Sequence, residues 1–155
     1  MSIEQKIKQW LVRKGKSLAV AESCSGGLLA HRITNVPGSS DFFKLGLITY
    51  CNEAKIKFLK ISPKILRSQG AVSTPVAKKM AESVRRIART DYGIGITGIA
   101  GPAGGSDAKP VGLTFIAVST PSSTTVKEFN FKGNRLSIKT QASTQALKML
   151  MASWR

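Results

Sequence analysis

The chain has 155 residues, is 42% hydrophobic, and carries 24 lysines and arginines against 8 acids, a net charge of +16 with a pI near 10.4. That length suits a single domain over residues 1–155 with a real core, while two cysteines exclude a disulfide scaffold and no Cys/His cluster has zinc spacing, so no metal or other cofactor is expected. No apolar run reaches the ~20 residues of a membrane span, the N-terminus is not patterned as a secretory leader, and the expected compartment is the cytoplasm.

In chain order, Ile3, Ile7, Trp10 and Leu11 fall at helical spacing, and Gly15 stops that helix. "SLAVA" at 17–21 has strand length and leads into the turn "ESCSGG" and a helix to about Asn35. "VPGSS" breaks the chain. "LGLITYC" at 45–51 reads as a buried strand, with Asn52 as N-cap of a helix "EAKIKFLK". A turn or two of helix follows Pro63. Ser73 or Thr74 with Pro75 opens a longer helix, in which Val76, Met80, Val84 and Ile87 share one arc and Lys78, Lys79, Arg85, Arg86 and Arg89 the other.

"YGIGIT" at 92–97 is strand-like and enters the glycine-rich loop "GIAGPAGGSDAKPVG". "LTFIAVST" and "TVKEFNF" form a hairpin around "PSS", and a last helix follows "GNR" to about Ala152. Strands alternating with helices, then a hairpin and a helix, imply an α/β fold with a mixed sheet. The basic balance favours anionic partners, a phosphorylated small molecule or nucleic acid. The cations that can be placed lie on an ordinary solvated helix face, and no zinc-finger or RNP-like pattern accompanies them, so nucleic acid is possible but not favoured.

Three stretches carry candidate chemistry. Around Ser23 two readings stand: Ser23 or Ser25 caps the following helix, or the turn is a nucleophile elbow beside helix N-terminal amides that could hold an oxyanion. Ala21 and Ser25 replace the glycines of a strict G-x-S-x-G. The single histidine, His31, would lie ~12 Å from Ser23 along one helix axis, which excludes a Ser-His-Asp triad. Lys55 is the alternative base. It sits near a helix N-terminus and inside the apolar arc with Phe58 and Leu59, so it breaks two local rules; a functional lysine and a snorkelling one are both open. Lowering its pKa from ~10.4 to the neutral range costs about 4 kcal/mol, beyond the ~0.3 to 1 kcal/mol of a helix terminus, so burial and neighbouring cations must supply most of it. The loop after residue 97 could bring amides to a phosphate or carboxylate, but it lacks the P-loop pattern.

Taken in order, "AESCSGG", "VPGSS", "TYCNEAK", "GAVS", "TGIAGPAGG" and "KPVG" resemble the motif series of the CinA C-terminal domain family, whose characterised activity is nicotinamide mononucleotide amidohydrolase. The family more usually has threonine at Ser25 and serine at Cys51. The resemblance implies a three-layer α/β/α sandwich that converts the carboxamide of nicotinamide mononucleotide to the carboxylate, releasing ammonia. It implies Ser23 as nucleophile and Lys55 as base, with Tyr50 and Ser40 as supporting polar groups. Gly26, Gly27, Thr97, Gly98 and Arg135 fall at substrate-binding positions, and a homo-oligomer is implied. The rival expectation is a noncatalytic nucleic-acid-binding or DNA-damage-associated protein.

Overall fold

The computed structural model describes residues 1–154. Helix α1 (Ile3–Lys14) opens with a capping box, in which Ser2 and Gln5 satisfy each other's backbone amides, and ends at Gly15 in the left-handed region, φ 60°. Strand β1 (Leu18–Glu22) is followed by α2 (Leu28–Thr34), a short 3-10 turn (Ser39–Asp41) and β2 (Phe43–Ile48). Next come α3 (Asn52–Leu59), α4 (Pro63–Gln69) and α5 (Thr74–Ala88). The chain ends with β3 (Tyr92–Gly98), the hairpin of β4 (Leu113–Ser119) and β5 (Thr124–Asn130), and α6 (Arg135–Ala152).

The five strands form one mixed sheet in the order β2-β1-β3-β4-β5. β1 pairs in parallel with β2 and β3, while β3–β4 and β4–β5 are antiparallel. Helices α1, α2 and α6 pack on one face, against Leu18, Val20, Ile94, Ile96, Ile116 and Val118. The other face carries α3, α4 and α5, which meet Ala19, Ala21, Leu113, Phe115 and Ala117. The result is the expected three-layer α/β/α sandwich. Central strands buried on both faces explain why "SLAVA" and "YGIGIT" read as continuous apolar runs.

The approach of α5 to β3 depends on two missing side chains. A Cβ on Gly95 would stand 2.6 Å from Ala77 O, and one on Gly93 would collide with Ala81 O. With Ala77 and Ala81 facing them, helix and strand backbones come nearly into contact.

Several local expectations are corrected. β2 is a sheet edge, alternately half-buried and exposed, because only one neighbour covers it. Ile87 is half-exposed at the end of the α5 apolar arc, and Arg85 is partly buried, its Nε donating to Ser119 Oγ at 3.1 Å. Ser73 precedes α5 but does not cap it with its hydroxyl, which donates to Gly70 O. Among the described residues no helix is long and apolar enough to cross a membrane.

Candidate active site

The strand order reverses direction of travel between β1 and β3: the chain leaves β1 toward β2 on one side and returns to β3 on the other. In open α/β sheets such a switch point leaves a crevice beyond the carboxyl ends of the strands. Ser23 follows β1 directly, Thr97 and Gly98 end β3, and the segment after β2 brings Tyr50 and Lys55 to the same edge. A cavity of about 180 Å³ opens there, lined by Ser23, Tyr50, Lys55, Thr97, Gly98 and Arg135, with Cys24, Ala71, Val72 and Ala100 as its apolar walls.

At its floor Lys55 Nζ lies 2.9 Å from Ser23 Oγ, across 32 residues of sequence. Its other neighbours are backbone carbonyls, Thr49 O at 2.8 Å and Tyr50 O at 3.4 Å. Lys55 is 1% exposed and Ser23 7%. No carboxylate pairs with the lysine among the described residues. Burial without a counter-ion lowers the Lys55 pKa, against a small opposing influence from the Cys51 and Cys24 thiols. Burial therefore acts as expected, but neighbouring cations are not among the causes. Charged, Lys55 donates to Ser23 Oγ and to both carbonyls; on losing a proton it can keep two N–H groups on the carbonyls and turn a lone pair toward the Ser23 hydroxyl.

The local sequence explains the placement. Cys51, not Asn52, caps α3: its Sγ accepts from the Ala54 amide at 3.4 Å, and Lys55 stands one position deeper in the helix than expected. The residue that broke the amphipathic pattern is the one turned into the cavity.

The turn that carries Ser23 is built differently from expectation. Neither Ser23 nor Ser25 caps α2. The N-cap is Gly27, in the left-handed region at φ 96°, and the Glu22 carboxylate takes the helix amides instead, from Leu29 at 2.9 Å and Ala30 at 3.0 Å. Those two amides are thus unavailable to an oxyanion. Glu22 is 1% exposed, and its backbone carbonyl also accepts from the Thr49 amide at 2.9 Å. One residue therefore ties the Ser23 turn to the carbonyl that holds Lys55. Gly26 has φ 58°, so both turn glycines adopt conformations that disfavour a side chain.

The remaining expected residues divide. Thr97 Oγ1 donates to Ala71 O at 2.9 Å, which pins the "GAVS" segment as a cavity wall. Gly98 is required by space: a Cβ would stand 2.7 Å from Thr114 Oγ1 and 3.0 Å from Cys24 Sγ. Arg135 opens α6 and spans the mouth, donating to Gly101 O at 2.6 Å and to the Tyr50 hydroxyl at 2.9 Å. Tyr50, 58% exposed, forms the opposite side of this bridge. Gly26 and Gly27 do not line the cavity but form the turn beside it. Ser40 is not brought to the site. It precedes β2, which runs parallel to β1, so it lies at the other end of the sheet, exposed, with its carbonyl accepting from Lys44 Nζ. His31 is exposed on α2 and contacts Asn35, outside the cavity.

The arrangement defines a buried serine–lysine pair at the carboxyl edge of an α/β sandwich. The CinA C-terminal domain family matches residues 1–154, and the chain belongs to that family. It is 49% identical over 149 residues to the "CinA-like protein" of Acidobacterium capsulatum, covering 96% of this chain and 36% of that protein. The chain spans about a third of the length of the curated relatives it matches. Among solved structures, the competence/damage inducible protein CihA from Agrobacterium tumefaciens superposes with a TM-score of 0.95 at 35% identity, covering 97% of this chain and 92% of that one. The competence damage-inducible protein A of Klebsiella pneumoniae does so with a TM-score of 0.94 at 29% identity, covering 99% and 97%.

Proposed function

We propose that this domain hydrolyses the carboxamide of nicotinamide mononucleotide to nicotinate mononucleotide and ammonia, in pyridine nucleotide recycling. The observation that carries the proposal is the 2.9 Å contact between Ser23 Oγ and a buried Lys55 with no carboxylate partner. A serine hydroxyl is a weak nucleophile until a base removes its proton, and a lysine held neutral by burial is such a base. Ser23 Oγ attacks the amide carbon while Lys55 takes its proton. The tetrahedral intermediate then expels ammonia, which leaves with the proton returned by Lys55, and an ester on Ser23 remains. Water, deprotonated by Lys55, attacks that ester; the carboxylate is released and Ser23 recovers its proton.

The small apolar walls of Ala71, Val72 and Ala100 can pack on the faces of a flat aromatic ring, here the cationic pyridinium of the nucleotide. The Arg135–Tyr50 bridge stands where the substituent on that ring would emerge. The test is ammonia release from nicotinamide mononucleotide by the purified protein, in the presence of a chelator. The expected outcome is turnover without added metal. Loss of activity on chelation, restored by a divalent ion, contradicts the mechanism.

A second reading, a noncatalytic nucleic-acid-binding protein, draws on Lys78, Lys79, Arg86 and Arg89, all exposed along α5. These cations form a diffuse face, so DNA binding is expected to be weak, insensitive to sequence and steeply reduced by salt. Tight, sequence-selective retention in a gel-shift assay that survives raised salt favours this reading over the enzyme.

A further inference from the structure

The cavity above Ser23, about 180 Å³ in volume and open at its mouth, is small against the ~300–1,000 Å³ of ordinary ligand pockets. On the amidase reading, the phosphorylated end of the substrate lies outside, across the rim. Arg135 is on that rim, where two of its five N–H donors are taken by Gly101 O and the Tyr50 hydroxyl.

Lys139 stands four residues further along α6, on the same side of the helix as Arg135. Its ammonium hangs over the turn that follows the nucleophile: a Cβ built on Gly26 would lie 3.4 Å from Lys139 Nζ and 3.9 Å from its Cε. The side chain is half-buried, and its charge is close enough to act on the Cys24 thiol. Among the described residues no carboxylate lies within 4.0 Å of it. Glu22, the acid beside this turn, is occupied by the Leu29 and Ala30 amides, and the first turn of α6 contains no acid. A lysine partly withdrawn from water, with no counter-charge, beside a site mouth is placed to attract an anion.

We infer that Lys139 binds the phosphate of the substrate and so selects phosphorylated carboxamides over their dephosphorylated counterparts; this rests on the amidase reading for the identity of the substrate. Gly26, with its left-handed backbone and no side chain, lets the Lys139 ammonium settle against the turn. Lysine supplies a point charge without the fixed fork of arginine, which suits a phosphate at the end of a flexible ribose.

Two measurements on the intact protein test the inference separately from the reaction. In titration calorimetry with ribose 5-phosphate as probe and ribose as control, wild type binds the phosphate ester, Lys139→Met binds it about 10-fold more weakly, and neither binds ribose. In turnover assays, Lys139→Met raises KM for nicotinamide mononucleotide by about 10-fold with kcat little changed, and leaves KM for nicotinamide riboside unaltered. Unchanged melting of the variant establishes that it is folded. Equal affinity of both proteins for ribose 5-phosphate, or no binding by wild type, overturns the assignment. Lys139-dependent binding of ribose 5-phosphate without carboxamide turnover by wild type supports Lys139 as the phosphate cation and defeats the amidase reading.

Discussion

The Glu22 carbonyl accepts a hydrogen bond from the Thr49 amide at 2.9 Å, and the Thr49 carbonyl in turn accepts one from Lys55 Nζ at 2.8 Å. Through its side chain the same Glu22 holds the first amides of α2. The turn that carries Ser23 and the carbonyl that holds Lys55 are thus anchored to a single residue at the end of β1. Glu22→Gln keeps the shape but replaces one carboxylate oxygen by an NH₂ group, which faces an amide donor. The expected result is a loss of about 1–3 kcal/mol in stability and a fall in kcat of about 10–100-fold with KM little changed. Denaturant unfolding and steady-state kinetics measure these. Reduced stability with undiminished kcat per folded molecule makes Glu22 merely structural.

The lowered Lys55 pKa has a consequence for folding as well as catalysis. Between the folded-state pKa and the unfolded value the unfolded chain binds the extra proton, so this group makes stability rise with pH across that window. Below the folded-state pKa the lysine must be charged while buried, at full cost. Lys55→Met removes both the charge and its titration. The variant is expected to be more stable than wild type in acid, with the difference shrinking as pH rises. Parallel unfolding curves with a pH-independent gap contradict a depressed lysine. In wild type, activity should rise as Lys55 deprotonates.

Cys51 caps α3 with a long sulfur contact of 3.4 Å. A serine hydroxyl is the better acceptor for this position, so Cys51→Ser is expected to gain about 0.5–1 kcal/mol without altering turnover. Thermal unfolding reads the gain. A loss of stability shows that the thiol packs in a way the cap geometry does not capture.

Cys24 adjoins Ser23 and carries the intrinsically more reactive group, yet burial pushes its thiol up to about 11, leaving it protonated at neutral pH. Cys24→Ala is expected to keep most of its activity, and Cys24 of wild type to escape iodoacetamide under conditions that alkylate the exposed Cys51. Inactivity of Cys24→Ala with retained activity in Ser23→Ala transfers the mechanism to cysteine.

The fold was largely legible because its signals are local: apolar runs for β1 and β3, Gly15 as a stop, Pro75 as a start, and the short "PSS" link of the hairpin. Lys55 stood out in the sequence as a charge on an apolar arc near a helix N-terminus, and its burial against Ser23 rather than a snorkelling path to water is what the structure adds. Ser40 was misplaced because motif order along a chain says nothing about which end of a parallel strand a residue occupies. Glu22 passed unnoticed since its role lies in bonds to amides seven and eight residues away and to a neighbouring strand. Capping by Glu22 and Cys51, rather than Ser25 and Asn52, reflects tertiary geometry overriding residue preference.

The most direct test of the central claim is the turnover of nicotinamide mononucleotide by Ser23→Ala, Lys55→Met and the double variant, with folding checked for each. If the two residues form one nucleophile–base unit, each single substitution collapses kcat and the double variant is scarcely worse than either. If Lys55 serves only to bind substrate, its loss raises KM, spares kcat, and adds to the loss of Ser23; that additive result contradicts the account.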